Sequence, residues 1–354
     1  MTDDLALLLR CLPPRIRAGV NGLGNDLVEI AIDIGRPPIA RFASSFRVLD
    51  PKPIDRDELS YVIDLVGAFK QQRHHRAGLN GTLHRLSLIV DRYGNPLGMT
   101  IRVGRHLTGV AEVIRDLLDD NRSSLLLIGA PGSGKTTLLR DIARILSERL
   151  GPAVIIVDSN DEIGGDGTIP HPAIGMARRM QVPDTATQYD VLLEAVRNHF
   201  PRVIIIDEIG SSREAEAART IAHRGTRLIA TAHGHTLSDV AHNPELAWLV
   251  GGRESIALEG NAALPSGRRV ALQRVEPPVM GMAIELLPDR KLAIYRDVAQ
   301  AVDATHVEAS IEPDEIREIP VAKEQMAPAA PKKTRAHPII PETDPWGLTE
   351  GRPV

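Results

Sequence analysis

GAPGSGKTT, residues 129–137, stands between the apolar run SLLLIG (124–129) and TTLLRDIARILSERL (136–150). Two glycines flanking four residues, followed by Lys135 and Thr136, form the pattern of a phosphate-binding loop. The flanks give that pattern the context it needs. A strand precedes it, and a helix follows whose Leu138, Leu139, Ile142, Ile145 and Leu146 share one face. Gly129, Pro131, Gly132, Ser133, Gly134, Lys135, Thr136 and Thr137 are therefore expected to surround the phosphates of ATP. Main-chain N–H groups and the helix N-terminus would take the oxygens, Lys135 would reach the β and γ positions, and Thr136 would ligate Mg²⁺.

Outward from this loop, short apolar runs alternate with helical patterns: AVIIVD (153–158), TATQYDVLLEAVRNH (185–199), VIIIDE (203–208), EAEAARTIAHR (214–224) and RLIATAH (227–233). Apolar strands separated by helices imply a parallel sheet covered on both faces. VIIIDE supplies the acids a hydrolytic site needs, with Asp207 on the metal side and Glu208 as the base that orients water. The additional strand AVIIVD lies between the loop strand and VIIIDE, an order that points to the RecA-like and secretion-motor division of ATPases. DSNDEIGGDGTIPHPAIGMARRMQV (158–182) is too rich in glycine and acid for a plain connector. Its Asp158 and Glu162 could approach the metal and the attacking water, and Arg178 and Arg179 could complete a neighbour's site or grip a substrate.

TAHGHT (231–236) follows the next strand, whose carboxyl end faces the crevice where open α/β sheets bind ligands. His233 is expected to sense the γ-phosphate, with Thr231 nearby. A zinc site on His233 and His235 would need ligands from His171, His223 or His242, none at clear ligand spacing. His235 is expected to cap or contact the helix starting at Thr236.

Residues 1–115 read as a small α+β domain. DLVEIAID (26–33) is a strand, DELSYVIDLVGAFK (57–70) an amphipathic helix, and LSLIV, DRYGNP and LGMTIRVGR (86–105) a strand, turn and strand. Arg76, Arg85, Arg92, Arg102 and Arg105 make the most basic island, with Asp91 its one acid. Residues 116–303 form the ATPase core, in which ESIALEG, RRVALQRV, MAIELL and KLAIY (254–295) make an antiparallel extension. Residues 304–354, acidic and proline-spaced, are expected to be a disordered tail, with a docking segment around Trp346 as the sharper alternative.

With 354 residues, 43% hydrophobic and 25% charged, the chain can bury one large core or two smaller ones. Aromatics at 3% and a net charge of -4 make any nucleic-acid contact a local patch. Cys11 is the single cysteine, which rules out an intramolecular disulfide and a multi-cysteine zinc site. Neither a signal peptide nor an apolar run of spanning length is present, so a cytoplasmic location is expected.

Taken together, VDSNDEIGGDGTIPHPAIGMARRMQVP, VIIIDEIG, IATAHGHTL, RAGLNGTLHRLS and TIRVGR resemble the family of stage III sporulation protein AA and its cyanobacterial and plastid relatives. The resemblance covers residues 5–303. More remotely, the chain is similar to secretion and pilus-retraction ATPases, hexamers with an N-terminal domain, a phosphate loop, an acidic box and a histidine box. That similarity implies an acidic box at 158–162, a histidine box at 231–236, and nucleotide-reaching arginines in the 85–105 hairpin, first Arg102 and Arg105. Many cyanobacterial and plastid relatives carry a small C-terminal domain that binds single-stranded nucleic acid. The tail here has no such pattern, which weakens a nucleic-acid role carried over from them.

The expected protein is thus an α/β, Mg²⁺-dependent ATPase with a RecA-like core. It is expected to be a ring-forming homo-oligomer, a hexamer by analogy, acting on a protein or nucleic-acid partner. A nucleic-acid-stimulated ATPase and a slow nucleotide-gated binding protein are the alternatives.

Overall fold

The computed structural model describes residues 3–23, 26–67, 75–119, 123–183, 185–257, 266, 269–306, 309 and 311–320. Two short helices, α1 (Asp3–Arg10) and α2 (Pro14–Val20), lead into strands β1 (Leu27–Asp33), β2 (Ile39–Phe42) and β3 (Phe46–Val48). Helix α3 (Arg56–Val66) follows, then β4 (Arg76–Gly78), β5 (Arg85–Val90) and β6 (Pro96–Arg102). The six strands form one antiparallel sheet in the order β3-β2-β1-β6-β5-β4. Asp55 and Glu58 close α3 at its start with a reciprocal capping box, and Gly67 ends it in the left-handed conformation, φ 68°. The rest of the helix expected over 57–70 lies outside the described residues.

The second half opens with α4 (Arg115–Asp119), β7 (Leu125–Gly129), α5 (Lys135–Leu150), β8 (Val154–Asp158) and β9 (Arg178–Gln181). It continues through α6 (Gln188–His199), β10 (Val203–Ile209), α7 (Ser212–His223), β11 (Arg227–Ala232) and α8 (Leu237–His242). Strands β12 (Glu254–Ala257), β13 (Val270–Gln273), β14 (Met282–Leu287) and β15 (Lys291–Tyr295), helix α9 (Val298–His306) and strand β16 (Glu315–Glu318) complete it. Eight of these strands form a sheet in the order β16-β15-β14-β7-β11-β10-β8-β9. Successive residues of β7 enter different cores, Leu125 and Leu127 on one face and Leu126 and Ile128 on the other. A strand buried on both faces has no polar side to show, hence the unbroken apolar run.

The fold is the expected α/β one with a RecA-like core, and it corrects several details. AVIIVD does come between the phosphate-loop strand and the Asp207 strand in the chain, as read; in the sheet the strand between them is β11, RLIATA, and β8 flanks β10 on its far side. MAIELL is parallel to β7, so the extension is antiparallel only from β15 outward. ESIA and VALQ pair as a separate hairpin. The 158–182 loop contains an edge strand, β9, which carries RRMQ instead of apolar residues because it has a neighbour on one side only.

Order also runs past residue 303, where the tail was expected to begin. EIRE adds a last strand whose main chain pairs with β15, and Arg317 fixes it by donating to Asp116 Oδ1 at 2.5 Å and to Val113 O at 2.6 Å. Composition could not foresee this, because an edge strand closes main-chain bonds that no side-chain pattern advertises. Trp346 lies outside the described residues.

The two sheets meet along a seam of backbone on backbone. A Cβ on Gly78 would lie 2.4 Å from Asp166 Cβ, and one on Gly165, whose φ is +85°, would lie 2.2 Å from Thr82 O. Hydrogen bonds stitch the same seam: Gly81 N–H donates to Ile169 O at 2.8 Å, and Asn80 Oδ1 accepts from Thr168 Oγ1 at 2.8 Å and from Ile169 N–H at 3.1 Å. Gly78→Val suits a strand by propensity yet has no room at the seam, so it should destabilise the chain in urea unfolding by about 1–3 kcal/mol. Gly210→Ala, where the nearest atom to an added Cβ is 4.0 Å away, should stay within about 0.5 kcal/mol of the parent.

Candidate nucleotide site

Gly134 caps α5 in the left-handed conformation, φ 101°, and turns the 129–134 loop over the helix N-terminus. Lys135 Nζ donates to Gly129 O at 2.5 Å and Ala130 O at 3.1 Å, so its ammonium lies inside the loop. Burial pushes its pKa down, although the Glu208 carboxylate works against that. Ser133 Oγ is buried without a hydrogen-bond partner. An orphaned hydroxyl, a lysine ammonium folded into the loop and a helix N-terminus together fit a polyphosphate.

The loop is tied directly to the histidine segment: Gly129 N–H donates to Gly234 O at 3.2 Å. This places His233 beside the acids, its Nδ1 3.3 Å from Glu208 Oε1, with 76% of the imidazole side chain exposed. Glu208 is itself held from behind, where Gln188 Nε2 donates to its carbonyl at 2.7 Å. The Thr231 hydroxyl donates to the Asp207 carbonyl. His235 contributes its main chain, not its ring, to the next helix: its N–H and that of Thr236 donate to Asp239 Oδ2 at 2.9 and 3.0 Å, and the Thr236 side chain is the cap.

Asp207 is 4% exposed. Burial first, then the carboxylates of Asp158 and Glu162, push it up to about 7, against a 3.2 Å hydrogen bond from Asn160 Nδ2. A carboxyl group crowded by other acids favours whatever brings positive charge, a proton or a divalent cation. The Asp207 carboxylate and the Thr136 hydroxyl at the start of α5 are both hard oxygens, the ligand type that Mg²⁺ takes.

Asp158 takes a different place from the expected one. Its Oδ1 accepts from Glu162 N–H at 2.9 Å and Ile163 N–H at 3.3 Å, and its Oδ2 accepts from Gly164 N–H at 2.8 Å. A buried carboxylate bound by three main-chain donors organises the loop, with both oxygens already engaged. Arg179 is likewise a staple, its guanidinium donating to the carbonyls of Gly165, Gly167 and Thr168. It is not available to a neighbour, whereas Arg178 is exposed on edge strand β9. The Glu162 side chain is 45% exposed and lies 3.5 Å from Arg85 Nη1.

Arg85, Arg102 and Arg105 line the N-terminal wall of a cleft of ≈ 410 Å³ whose other wall includes Thr136 and Thr137, with Glu162 between them. Arg105 is anchored to Leu27 O at 2.8 Å, and Arg85 reaches Asn160 O at 2.6 Å. The hairpin arginines thus face the phosphate loop of their own chain.

Sequence reading missed Arg140. It is 6% exposed on α5, one turn beyond the loop, and donates to Ile163 O at 2.7 Å and to Glu162 O. Burial pushes its pKa down to about 10 while Asp158, Asp207 and Glu162 oppose the shift. It is the counter-charge for the acids and the tie between the loop 158–166 and the phosphate-loop helix. The one available signal was an arginine on the inner side of an amphipathic helix.

Among the described residues, the group with the spacing of a metal site is Asp4, His106 and His171, not His233 and His235; the ligand atoms lie within 4.8 Å of one another. His171 Nε2 is 2.8 Å from Asp4 Oδ2 while its Nδ1 accepts from Ala173 N–H at 3.0 Å, and His84 Nδ1 accepts from Gly104 N–H at 3.1 Å. Both rings therefore carry their proton on Nε2. A cation on His171 Nε2 would drive that proton onto a nitrogen already facing an N–H, so the His171–Asp4 pair is a hydrogen bond that ties α1 to the seam. Burial alone would raise the Asp4 carboxyl, but the His171 hydrogen bond together with the charges of His171, His106 and His84 outweighs it and the net shift is downward.

With the geometry described, the comparisons can be stated. The model of the family "Sporulation stage III, protein AA" matches residues 67–258. The chain belongs to the stage III sporulation protein AA family. It is 43% identical over 321 residues to Protein SEEDLING PLASTID DEVELOPMENT 1 of Arabidopsis thaliana, covering 90% of this chain and 46% of that one. It is 44% identical over 306 residues to the uncharacterized protein ycf45 of Porphyra purpurea, covering 86% of this chain and 54% of that protein. This stage III sporulation protein AA family member therefore spans about half the length of these two relatives. The crystal structure of the pilus retraction motor PilT with bound ADP is similar at a TM-score of 0.49 and 16% identity, over 71% of this chain and 79% of that one. Among the described residues no helix is long and apolar enough to cross a membrane.

The raised Asp207 pKa gives a stability signature for the nucleotide-free protein. From about pH 4 to about 7 the folded state holds a proton that the unfolded state has lost, so this residue's contribution falls as pH rises through that window. Asp207→Asn should accordingly be more stable than the parent by roughly 2 kcal/mol at pH ~8 and equal to it at pH ~4 in urea melts. A gain independent of pH would mean that Asp207 is not the strained acid.

Proposed function

We propose that this chain is a Mg²⁺-dependent ATPase whose N-terminal domain, residues 1–115, closes over the phosphate loop of its core, residues 116–303, to drive work on a macromolecular partner. The observation that carries the reading is the 3.2 Å bond from Gly129 N–H to Gly234 O, which draws the loop, the Asp207 and Glu208 pair and His233 to one edge of the sheet. On this reading the loop and Lys135 hold the triphosphate, and Thr136 and Asp207 hold Mg²⁺, which would neutralise developing charge. Glu208 orients the attacking water, and His233, 3.3 Å from Glu208, is positioned to couple the γ-phosphate to the base. Arg85, Arg102 and Arg105, across the cleft, stabilise the transferred charge. Exposed Arg178 is then the residue best placed to reach an adjacent subunit of a ring.

Lys135→Ala should remove ATP affinity, whereas Glu208→Gln should keep it and lose turnover by at least about 100-fold. Isothermal titration and a phosphate-release assay distinguish the two. Normal hydrolysis by Glu208→Gln would transfer the base to Glu162. Light scattering of Glu208→Gln with Mg-ATP should give a ring-sized mass that ADP does not; a monomer in both states would remove the ring from the reading and leave the ATPase.

A further inference from the structure

The far edge of the large sheet carries a second concentration of charge that the nucleotide chemistry does not use. RNHFPR (197–202) leads into β10 and HRGTR (223–227) leads into β11, and these strands are neighbours. Neither segment contains an acid. Arg227 N–H donates to Arg202 O at 3.2 Å and the Thr226 hydroxyl to Pro201 O at 3.4 Å, so the two segments form one surface. Arg149, from the last turn of α5, joins them around a cleft of ≈ 890 Å³, where Asp119 is the acid among the described lining residues.

Each arginine has a distinct part. Arg227 is buried and donates to the carbonyls of Leu117, Leu118 and Ser123 at 2.8–3.2 Å, so it is scaffold. Arg149 holds Asp119 O at 3.0 Å. Arg202 and Arg224 project into solvent. Burial pushes the Arg227 pKa down, and the Arg149 charge adds to that while Asp119 opposes it.

Phe200 is the second, independent observation. It is 85% exposed in a chain with only four phenylalanines. It also ends α6 in the left-handed conformation, φ 47° and ψ 53°, where glycine is the usual residue. Neither packing nor backbone preference accounts for an aromatic ring there.

We propose that this edge binds single-stranded nucleic acid, with Arg149, Arg202 and Arg224 on successive phosphates and the Phe200 ring stacked on an unpaired base. Positive charge alone would serve any polyanion. The exposed, strained ring selects one with planar faces to offer, which a duplex, a lipid headgroup and an acidic peptide lack. This inference is independent of the ATPase reading, because the surface lies at the opposite ends of the strands from Asp207 and the phosphate loop.

The test is fluorescence anisotropy of the full chain, without nucleotide, on labelled oligo-dT and oligo-U of about 15 nucleotides, matched duplex, anionic phosphatidylserine vesicles and polyglutamate. Phe200→Gly removes the ring and suits the backbone, so it should fold at least as stably as the parent yet bind the single strand about 5- to 150-fold more weakly, with the salt slope unchanged. Arg202→Ser combined with Arg224→Ser should weaken binding and flatten the slope of log K against log salt by about 1.4. ATP affinity of both variants should equal that of the parent, which controls for folding. Equal affinity for duplex, or no effect of Phe200→Gly, would overturn the proposal in favour of a plain basic surface. Preference for the vesicles or polyglutamate would assign the edge to a membrane or an acidic protein. A drop in assembled mass for Arg224→Glu, without loss of oligonucleotide binding by the double variant, would make it an interface between copies.

Discussion

The seam between residues 76–85 and 158–171 fixes the geometry of the rest. Backbone meets backbone there at distances that exclude even a methyl group, as Gly78 against Asp166 and Gly165 against Thr82 show. Such an interlock has little freedom to slide, since each side fills the groove of the other and the hydrogen bonds of Asn80 and Gly81 fix the register. Because β5 continues from the seam, Arg85 enters the cleft at a determined height above Thr136. Because the acidic loop starts from the same seam, its carboxylates reach the cleft from the other side. The arginine wall and the acidic floor are therefore set by one contact, which accounts for why the two most distinctive strings of the sequence are partners in space.

Charge balance inside the site follows from that arrangement. Asp158, Glu162, Asp207 and Glu208 converge on one region, and their mutual repulsion is a cost that the fold must offset. Three devices do so. Asp158 is neutralised by three main-chain donors, Arg140 places a buried guanidinium between the loop and α5, and Asp207 rises to about 7. The first two are permanent and structural. The third is reversible, and a reversible deficit of positive charge beside a phosphate loop is what a metal-dependent site needs in order to respond to its ligand.

Much of this was legible in the sequence because it is local. The phosphate-loop pattern, the apolar strands and the one-faced helix that follows the loop each depend on residues within a few positions of one another. What escaped was non-local. Nothing in VIIVD or RLIATA states which of them lies between β7 and β10, since both are apolar strands buried on two faces. The carboxylate of Asp158 looked like part of an acidic site because acids surround it in the sequence; only the turn of the chain at 162–164 reveals that its oxygens hold the loop's main chain. Arg179 misled for the same reason, its partners being carbonyls, which no side-chain pattern displays. A clasp of histidines drawn from residues 84, 106 and 171 around Asp4 is beyond any spacing rule.

The two ends of the large sheet are joined by the stiffest elements in the molecule. β10 runs from Val203, beside Arg202, to Asp207 and Glu208, and β11 runs from Arg227 to Thr231, just before His233. All residues of β11 are buried, and its hydrogen bonds to β10 and β7 are in continuous register through its centre. Strands so constrained do not transmit a ligand's presence by bending, because packed cores resist small deformation. They transmit it as rigid bodies. Tightness at the seam keeps the arginine wall in register, and Gly104, where an added Cβ would lie 2.0 Å from Leu83 O, extends the same close packing beyond the end of β6.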